Sequence, residues 1–385
     1  MSRNIVLLFD GTSNSVSRNR TNILRLYGML EKSDRQLVYY DPGVGTMGHD
    51  GAWSGLVRKM AEIWGLATGW GLDANVKQAY RFLVENYRNP QGASEERDQI
   101  YIFGFSRGAY TARVLAGFIN ALGLIESRNL NLLDYAYRAF KRIGESGPDE
   151  AFAEIRLYER MLRPDRIPIR MLGLFDTVSS VIESGRFGPR LRSHAFTRTN
   201  PSVEAVAHAL AIDEKRTMFR PQLWNEDQDY LGNPFNTKAA QPQDVSQVWF
   251  AGSHGDVGGG QSESESALAK VPLEWMTKKA SDVGLVFNTR SVNALLLGKD
   301  GAHVPPDPLS EAHPSMTWGW SILEFVPRRT PEGSKRPALF GWTIPLFEPR
   351  TIPDGASIDA SVTRRISAGG YDPRNLPPGG LQARA

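Results

Sequence analysis

The feature that most restricts the fold is the alternation of short apolar segments with amphipathic ones through the first 130 residues. Short apolar runs are typical of buried strands, and they fall at 5–9, 36–40 and 99–104. Segments whose apolar residues recur at helical spacing fall at 22–30, 73–87 and 107–119. This alternation predicts an α/β protein with a mostly parallel central sheet and helices on both of its faces.

The rest of the chain continues this pattern and then loses it. Further strands are expected at 167–175 and 247–250, and helical stretches at about 130–162 and 202–213. The last hundred residues are richer in Pro, Gly and Arg and show few clear elements. We therefore expect a catalytic domain over 1–285, and over 286–385 an irregular C-terminal extension that packs on the same domain.

Composition narrows the classes of function. The 385 residues include 45 Lys and Arg against 42 Asp and Glu, with no long run of one charge, which predicts no nucleic-acid partner. The absence of cysteine excludes disulfides, thiolate catalysis and zinc–thiolate sites. The apolar run at 5–9 is too short for a signal peptide, and no run is long enough for a transmembrane helix. We expect a protein that stays in the cytoplasm or is exported without a cleaved signal peptide.

The segment from Gly104 to Gly108 carries the clearest chemical signal, a Gly-x-Ser-x-Gly pattern around Ser106. It lies between an apolar strand and an Ala-rich helix, the setting in which such a serine is a nucleophile on a sharp strand-to-helix turn. Gly104 and Gly108 fit because the chain approaches itself closely there. The backbone N–H of Arg107 would then face a developing oxyanion. The alternative is an ordinary turn with a serine cap.

A serine nucleophile needs a base, and among six histidines His254 is the best candidate. It follows the strand at 247–250 and opens a Gly-rich loop, where active-site residues of parallel sheets collect. His208 falls in the stretch predicted as a helix and is interpreted as structural. The alternative for His254 is an incidental histidine in a flexible loop.

Two aspartates compete to orient this histidine. Asp176 directly follows a strand and lies between Ser106 and His254 in the chain, in the order serine, acid, histidine expected for an α/β-hydrolase. Asp256 comes two residues after His254 and could instead order the loop or contact a metal. The pattern favours Asp176.

A second oxyanion donor is expected from the turn after the first strand, through the N–H of Gly11 or Thr12. Asp10 in the same turn, together with Asp176 and Asp256, supplies enough carboxylates for a divalent metal. Their spacing does not demand one. We predict no metal and no cofactor.

Six segments taken together resemble an uncharacterised α/β-hydrolase domain family that includes phospholipase effectors of the bacterial type VI secretion system. They are residues 8–12, 79–83, 104–113, 175–178, 208–214 and 249–260, and the block around Ser106 is the most specific. The likeness covers roughly 3–275, and the segment at 371–377 also fits. It implies a Ser–Asp–His triad at Ser106, Asp176 and His254, and lipid ester hydrolysis.

The sequence thus predicts a serine hydrolase of carboxylic esters, with a lipase or phospholipase as the leading hypothesis. The segment 46–72 has several tryptophans among glycines and could be an apolar lid that contacts a membrane surface, or a packed core segment. Partners would be a lipid or other acyl ester and, from the resemblance, a secretion-system or immunity protein. The alternatives are a soluble carboxylesterase, an inactive binding protein with the same fold and, more remotely, a metal-dependent phosphohydrolase.

Overall fold

A computed structural model describes residues 2–11, 19–43, 70–88, 97–143, 148–178, 181–185, 188–192, 194–232, 240–330 and 338–377, with the single residues 238, 334 and 336. Within these residues, seven strands form one sheet in which every neighbouring pair is parallel. In chain order they are β1 (Asn4–Phe9), β2 (Gln36–Asp41), β3 (Gln99–Phe105), β4 (Ile169–Phe175), β7 (Val203–Ala211), β10 (Asp244–Phe250) and β13 (Ser357–Ile358). The spatial order β13-β10-β7-β4-β3-β1-β2 confirms the predicted α/β fold.

Three two-stranded antiparallel pairs lie outside this sheet. They are β5 (Val181–Gly185) with β6 (Gly188–Arg192), β8 (Asp229–Tyr230) with β9 (Gln241–Pro242), and β11 (Arg328–Arg329) with β12 (Trp342–Thr343). The α-helices are α1 (Asn22–Met29), α2 (Trp70–Asn86), α3 (Arg107–Leu122), α4 (Leu133–Ile143), α5 (Pro148–Leu162), α6 (His254–Gly258), α7 (Lys270–Asp282), α8 (Thr289–Leu295), α9 (Trp318–Leu323) and α10 (Ala360–Ser367).

Both faces of the sheet are covered, as the side chains of β1 show. Ile5, Leu7 and Phe9 pack in a cluster with helices α2 to α5. Val6 and Leu8 point the other way, into a cluster with α1 and α7. Because alternate side chains of a strand leave opposite faces, a strand covered on both sides must be apolar throughout, as this one is.

The stretch at 202–213 was wrongly predicted as a helix. It contains β7, which pairs with β4 and β10 in the middle of the sheet. Its sequence alternates alanine with valine, leucine and one histidine. Alanine favours helices in isolation, but burial on both faces favours any small apolar run as a strand, and this tertiary effect wins.

The last part of the chain contributes to the sheet as well as wrapping it. β13 pairs with β10 through Val248–Ser357 and Trp249–Ile358. Ile352, Ile358 and Val362 form a small apolar cluster with Trp249. In the described part of the chain, no helix is both long and apolar enough to cross a membrane.

The strand order also shows where ligands are expected to bind. From β1 the chain moves first to β2 on one side and then to β3 on the other, so the connections diverge at the carboxyl ends of β1 and β3. Open α/β sheets bind ligands in the crevice at such a switch point. Asp10 follows β1 there, and Ser106 follows β3.

Candidate active site

Ser106 occupies a strained turn between β3 and α3. Its φ of 58° and ψ of −120° lie in a region that residues other than glycine seldom adopt. The backbone holds it there, because its N–H donates to the carbonyl of Phe175 at 3.0 Å. The turn points the hydroxyl toward the carboxyl edge of the sheet, beside the start of a helix.

The two glycines flanking Ser106 are required by backbone packing. A Cβ on Gly104 would lie 2.4 Å from the carbonyl oxygen of Gly108. A Cβ on Gly108 would lie 2.2 Å from the carbonyl oxygen of Phe9. Both distances are far shorter than a van der Waals contact, and backbone atoms cannot move aside as a side chain could. The close approach predicted from the sequence is therefore present.

His254 reaches Ser106 from the neighbouring part of the sheet edge. The residues after β10 form the short helix α6, which begins at His254 after the N-cap Ser253, where the sequence had suggested a loop. The imidazole Nε2 lies 2.8 Å from Ser106 Oγ. Phe105 and Phe219 pack against the ring, with centroid separations of 4.7 and 5.0 Å. His254 as a whole is 7% exposed.

Asp176 follows β4 and holds the other side of the same ring. Its Oδ2 lies 2.5 Å from His254 Nδ1, and its Oδ1 accepts the Ala211 N–H at 3.0 Å. The residue is fully buried, and its φ of 39° turns the side chain back over the sheet edge. The hydroxyl, imidazole and carboxylate are thus joined in one hydrogen-bonded line, with the imidazole between the other two.

A buried arginine that sequence reasoning missed completes this cluster. Arg350 donates from Nη1 to Asp176 Oδ1 at 2.5 Å and from Nη2 to Oδ2 at 2.9 Å. It lies in a segment after β12 with no periodic pattern and no recognisable motif. One arginine among many in such a segment gives no signal that distinguishes it from the exposed ones.

The charges around the cluster favour an ionised acid and a neutral base. Burial alone would raise the pKa of Asp176, but Arg350 and then His254 hold it well below its usual range. Burial lowers the pKa of His254, and the hydrogen bond that its Nδ1–H donates to Asp176 offsets only part of that shift. Glu214, whose pKa is lowered to about 2 because Arg216 outweighs the effect of burial, lies close by and accepts the His254 N–H at 3.3 Å. A neutral imidazole can accept a proton from a hydroxyl.

Asp256, the rival acid in the sequence, is engaged elsewhere. Its Oδ2 accepts the N–H of Ser253 at 2.8 Å, which caps α6. Its Oδ1 lies 2.7 Å from Nδ1 of His313. This aspartate orders the helix that carries His254.

The turn after β1 is arranged differently from the sequence expectation. The N–H of Gly11, predicted as an oxyanion donor, donates to Asp10 Oδ1 at 2.6 Å. Asp10 Oδ2 accepts from the hydroxyls of Thr21 and Tyr40, each at 2.7 Å. Thr12 lies outside the described residues. Among the residues described, no three His, Asp or Glu side chains are grouped to hold a metal ion.

The known proteins to which this chain is similar include one curated protein and two solved structures. A curated protein of Saccharomyces cerevisiae, the uncharacterized protein YEL023C, is 36% identical over 250 residues, or 61% of this chain and 34% of its own length. The crystal structure of an uncharacterized protein from Pseudomonas aeruginosa aligns with 81% of this chain and 51% of its own, with a TM-score of 0.42. The two sequences are 20% identical. The Tle1 effector bound to the VgrG spike of the type VI secretion system is 19% identical, over 69% and 52% of the chains, with a TM-score of 0.33.

This chain therefore spans about a third of the curated relative and about half of each solved structure. The family described as the type VI secretion system phospholipase effector Tle1-like catalytic domain matches residues 3–279. That range includes Ser106, Asp176 and His254 and ends before Arg350. The chain belongs to this Tle1-like phospholipase effector family, through its catalytic domain.

Proposed function

We propose that this protein is a serine hydrolase that cleaves carboxylic esters of lipids, with Ser106 as nucleophile, His254 as base and Asp176 as the acid that orients it. The observation that carries the proposal is the line of contacts from Ser106 Oγ to His254 Nε2 at 2.8 Å and from Nδ1 to Asp176 at 2.5 Å. Both distances are those of hydrogen bonds, with the base between the group it deprotonates and the group that orients it.

The reaction would proceed in two displacements at one carbonyl carbon. Ser106 Oγ attacks the ester carbon while its proton passes to His254 Nε2, and the tetrahedral adduct expels the alcohol, which takes that proton. Water then attacks the acyl-enzyme with His254 again as base, and the acid leaves as Ser106 regains its proton. Asp176 keeps the Nδ1 proton in place and stabilises the imidazolium formed in each step.

The oxyanion would bind at the start of α3. The N–H of Arg107 is the first of that helix, so it has no acceptor within the helix and would donate to the developing charge. A second donor would come from the turn after β1. For the N–H of Gly11 to serve, it must leave the Asp10 carboxylate, and Thr12 stays a prediction.

An exposed apolar face beside the site supports a lipid substrate. The exposed apolar face consists of the large exposed apolar side chains of one segment: Trp318, Ile322, Phe325, Val326, Leu339, Phe340, Trp342, Ile344 and Leu346. Trp318 is 82% exposed and Phe340 is 93% exposed. The face connects to the site because Trp320 packs on Phe219, which packs on His254. Large exposed apolar side chains concentrated in one segment support a contact with a protein or a membrane.

The charge of this segment favours an anionic lipid surface as the occupant. Between residues 318 and 347 the sequence has four basic residues and two acidic ones. One of the acidic residues, Glu324, is buried and accepts from the N–H and hydroxyl of Thr217. Exposed Trp and Phe with nearby Arg and Lys are the residues that hold proteins at anionic membrane surfaces. The predicted lid at 46–72 lies almost entirely outside the described residues, so this face is the structural support for lipid.

The test combines a serine-directed probe with lipid vesicles. A fluorophosphonate should label the protein and Ser264→Ala, a control at an exposed serine, but not Ser106→Ala. Phosphatidylglycerol vesicles should be hydrolysed faster than a short soluble ester, and Trp318→Ser with Phe340→Ser should remove that advantage while leaving turnover of the soluble ester intact. Equal labelling of Ser106→Ala would remove the nucleophile, and faster turnover of the soluble ester would remove the lipid.

Membership of an effector family also supports a protein partner. We propose that a component of a type VI secretion system carries this domain and that an immunity protein blocks it. Co-expression with a candidate immunity protein should prevent fluorophosphonate labelling of Ser106. Full labelling in a stable complex would show that the candidate does not act at this site.

A further inference from the structure

We infer that Arg350 is a positioning residue, which fixes the Asp176 carboxylate so that its Oδ2 faces His254. The inference rests on the proposed function, since it assigns Arg350 a part in the same reaction. Arg350 lies outside residues 3–279, which match the family. It would make the C-terminal part of this chain a component of the active site.

The contact is a paired one between two buried groups. Both guanidinium nitrogens Nη1 and Nη2 donate to Asp176, one to each oxygen, at 2.5 and 2.9 Å. The two side chains are 2% and 0% exposed. Two parallel hydrogen bonds set the plane of a carboxylate as well as its distance, which one ammonium group could not do.

Arg350 is itself held from three directions. Its Nη1 donates to the carbonyl of Ala211 at 2.9 Å, and its Nη2 donates to the carbonyl of Phe219 at 2.5 Å. Its own carbonyl accepts from the side chain of Asn375 at 3.1 Å. The guanidinium is therefore fixed relative to the sheet edge, and it passes that constraint to Asp176.

The two carboxylate oxygens of Asp176 have different hydrogen-bond partners. Oδ1 accepts from the Ala211 N–H and from Arg350, whereas Oδ2 accepts from Arg350 and faces His254. Without Arg350, the Ala211 N–H would be the one described donor, apart from His254 itself, that orients this fully buried carboxylate. Rotation about the side chain would then carry Oδ2 away from Nδ1, and small displacements of catalytic groups have large effects on rate.

Arg350 also determines when the pair carries a proton. Its positive charge favours the ionised carboxylate and opposes a second positive charge on the imidazole. Removing it would lead the Asp176–His254 pair to retain a proton to higher pH, whichever of the two holds it. Among the described residues, the other charged or titratable groups that act on the pair are Glu214 and Arg216 from the loop after β7 and His208 from β7. Burial lowers the pKa of His208 to about 3, so His208 stays neutral through this range.

A purely structural role is the competing explanation, because Arg350 also ties the C-terminal segment to the sheet. Arg365 offers a matched control. It donates to the carbonyls of Pro308 and Ser310 in the same part of the chain. Its described hydrogen bonds do not involve Asp176 or His254. Arg365→Met should therefore destabilise the region without changing the protonation of the pair.

The experiment compares the 385-residue chain with its Arg350→Met, Arg350→Lys and Arg365→Met variants. The rate of fluorophosphonate labelling should fall about a hundredfold in Arg350→Met. In a plot of labelling rate against pH, the decline at acidic pH (the acid limb) should move to higher pH in this variant. Arg350→Lys should restore the position of the acid limb because it restores the charge, and only part of the rate because it cannot pair with both oxygens. Arg365→Met should leave the acid limb where it is.

An NMR titration of His254, with histidines ¹³C-labelled in a Ser106→Ala background, measures the same protonation without catalysis. The titration midpoint should rise in Arg350→Met and not in Arg365→Met. If wild type is not labelled, the proposed function fails, while the titration still decides whether Arg350 controls the pair. An unchanged midpoint and acid limb in Arg350→Met, or an equal shift in Arg365→Met, would overturn the inference.

Discussion

Two aspartates near the carboxyl edge of the sheet each hold a histidine by its Nδ1, yet the two pairs differ in what surrounds them. Asp176 lies 2.5 Å from His254, and Asp256 lies 2.7 Å from His313. The Nε2 of His254 faces the hydroxyl of Ser106, within a closed and aromatic environment. The His313 side chain is 31% exposed.

The partners of the two carboxylates differ in the same way. Asp176 is bound by the guanidinium of Arg350, so its charge is balanced before His254 takes up a proton. Asp256 accepts the backbone N–H groups of Ser253 and His313. It therefore caps the N-terminus of α6 and holds the loop around His313. Under the proposed function, an Asp–His contact is a poor indicator of catalysis by itself, and the group on the second imidazole nitrogen is the informative one.

Replacing each aspartate by asparagine tests this comparison with the largest expected effect. Asp176→Asn should lower kcat for ester hydrolysis on the order of 10⁴-fold, because an amide favours the wrong tautomer of His254 and cannot stabilise the imidazolium. Asp256→Asn should change kcat by less than about tenfold, since its hydrogen bonds serve α6. Steady-state kinetics on a soluble ester measures both.

Circular dichroism of both asparagine variants provides the control for folding. A similar loss of kcat in the two well-folded proteins would mean that Asp256, and not Asp176 alone, supports the base.

The pH dependence of the reaction is expected to distinguish His254 from His313, with an effect of intermediate size. Burial lowers the pKa of His254, so its neutral form persists below the ordinary histidine value of about 6.5. Because the neutral form is the base, kcat/KM should fall with decreasing pH only below that value. His313→Gln should leave this limb in place, since His313 has no contact with Ser106 among the described residues.

A limb that lies above 6.5 would indicate that Asp176 outweighs burial in its effect on His254. A limb that moves in His313→Gln would couple the two pairs. Measurements of kcat/KM from pH 4 to 8 on a substrate without titratable groups would distinguish these outcomes.

Sequence reasoning chose Ser106, Asp176 and His254 as candidates because each follows an apolar run, and the carboxyl ends of parallel strands meet at one edge. The three side chains lie in hydrogen-bond contact, while their catalytic roles stay predictions. The rule that active-site residues follow apolar strands depends on local patterns alone. It therefore holds even though the segment 203–211 was wrongly predicted as a helix. Burial of β7 between two strands is a tertiary fact that its alanines do not reveal. The fold class and the family likeness were confirmed for the same reason, since both rest on local segments.

Two contacts at the site could not be read from the sequence. Arg350 reaches Asp176 across 174 positions of the chain, from a segment without periodicity. The N–H of Gly11 was expected to face an oxyanion, but Asp10 is close enough to accept it. Both depend on where a side chain points after folding, which residue type and spacing leave open.

The smallest expected effect concerns Asp256 and is one of stability. Asp256→Ala would leave the N–H groups of Ser253 and His313 without their present acceptor, which should lower the free energy of unfolding by about 1–3 kcal/mol. His313→Ala removes only one of the interactions with Asp256 and should cost less. Urea denaturation of the wild type and both variants gives the order.

The stability result also bears on the reaction, because α6 begins at His254. If Asp256 only secures this helix, Asp256→Ala should regain most of the wild-type kcat when an osmolyte that strengthens folding is added, whereas Asp176→Asn should not respond. An Asp256→Ala protein that is as stable as wild type and yet inactive would contradict a purely structural role. It would place the second pair in the chemistry and remove the distinction between the two.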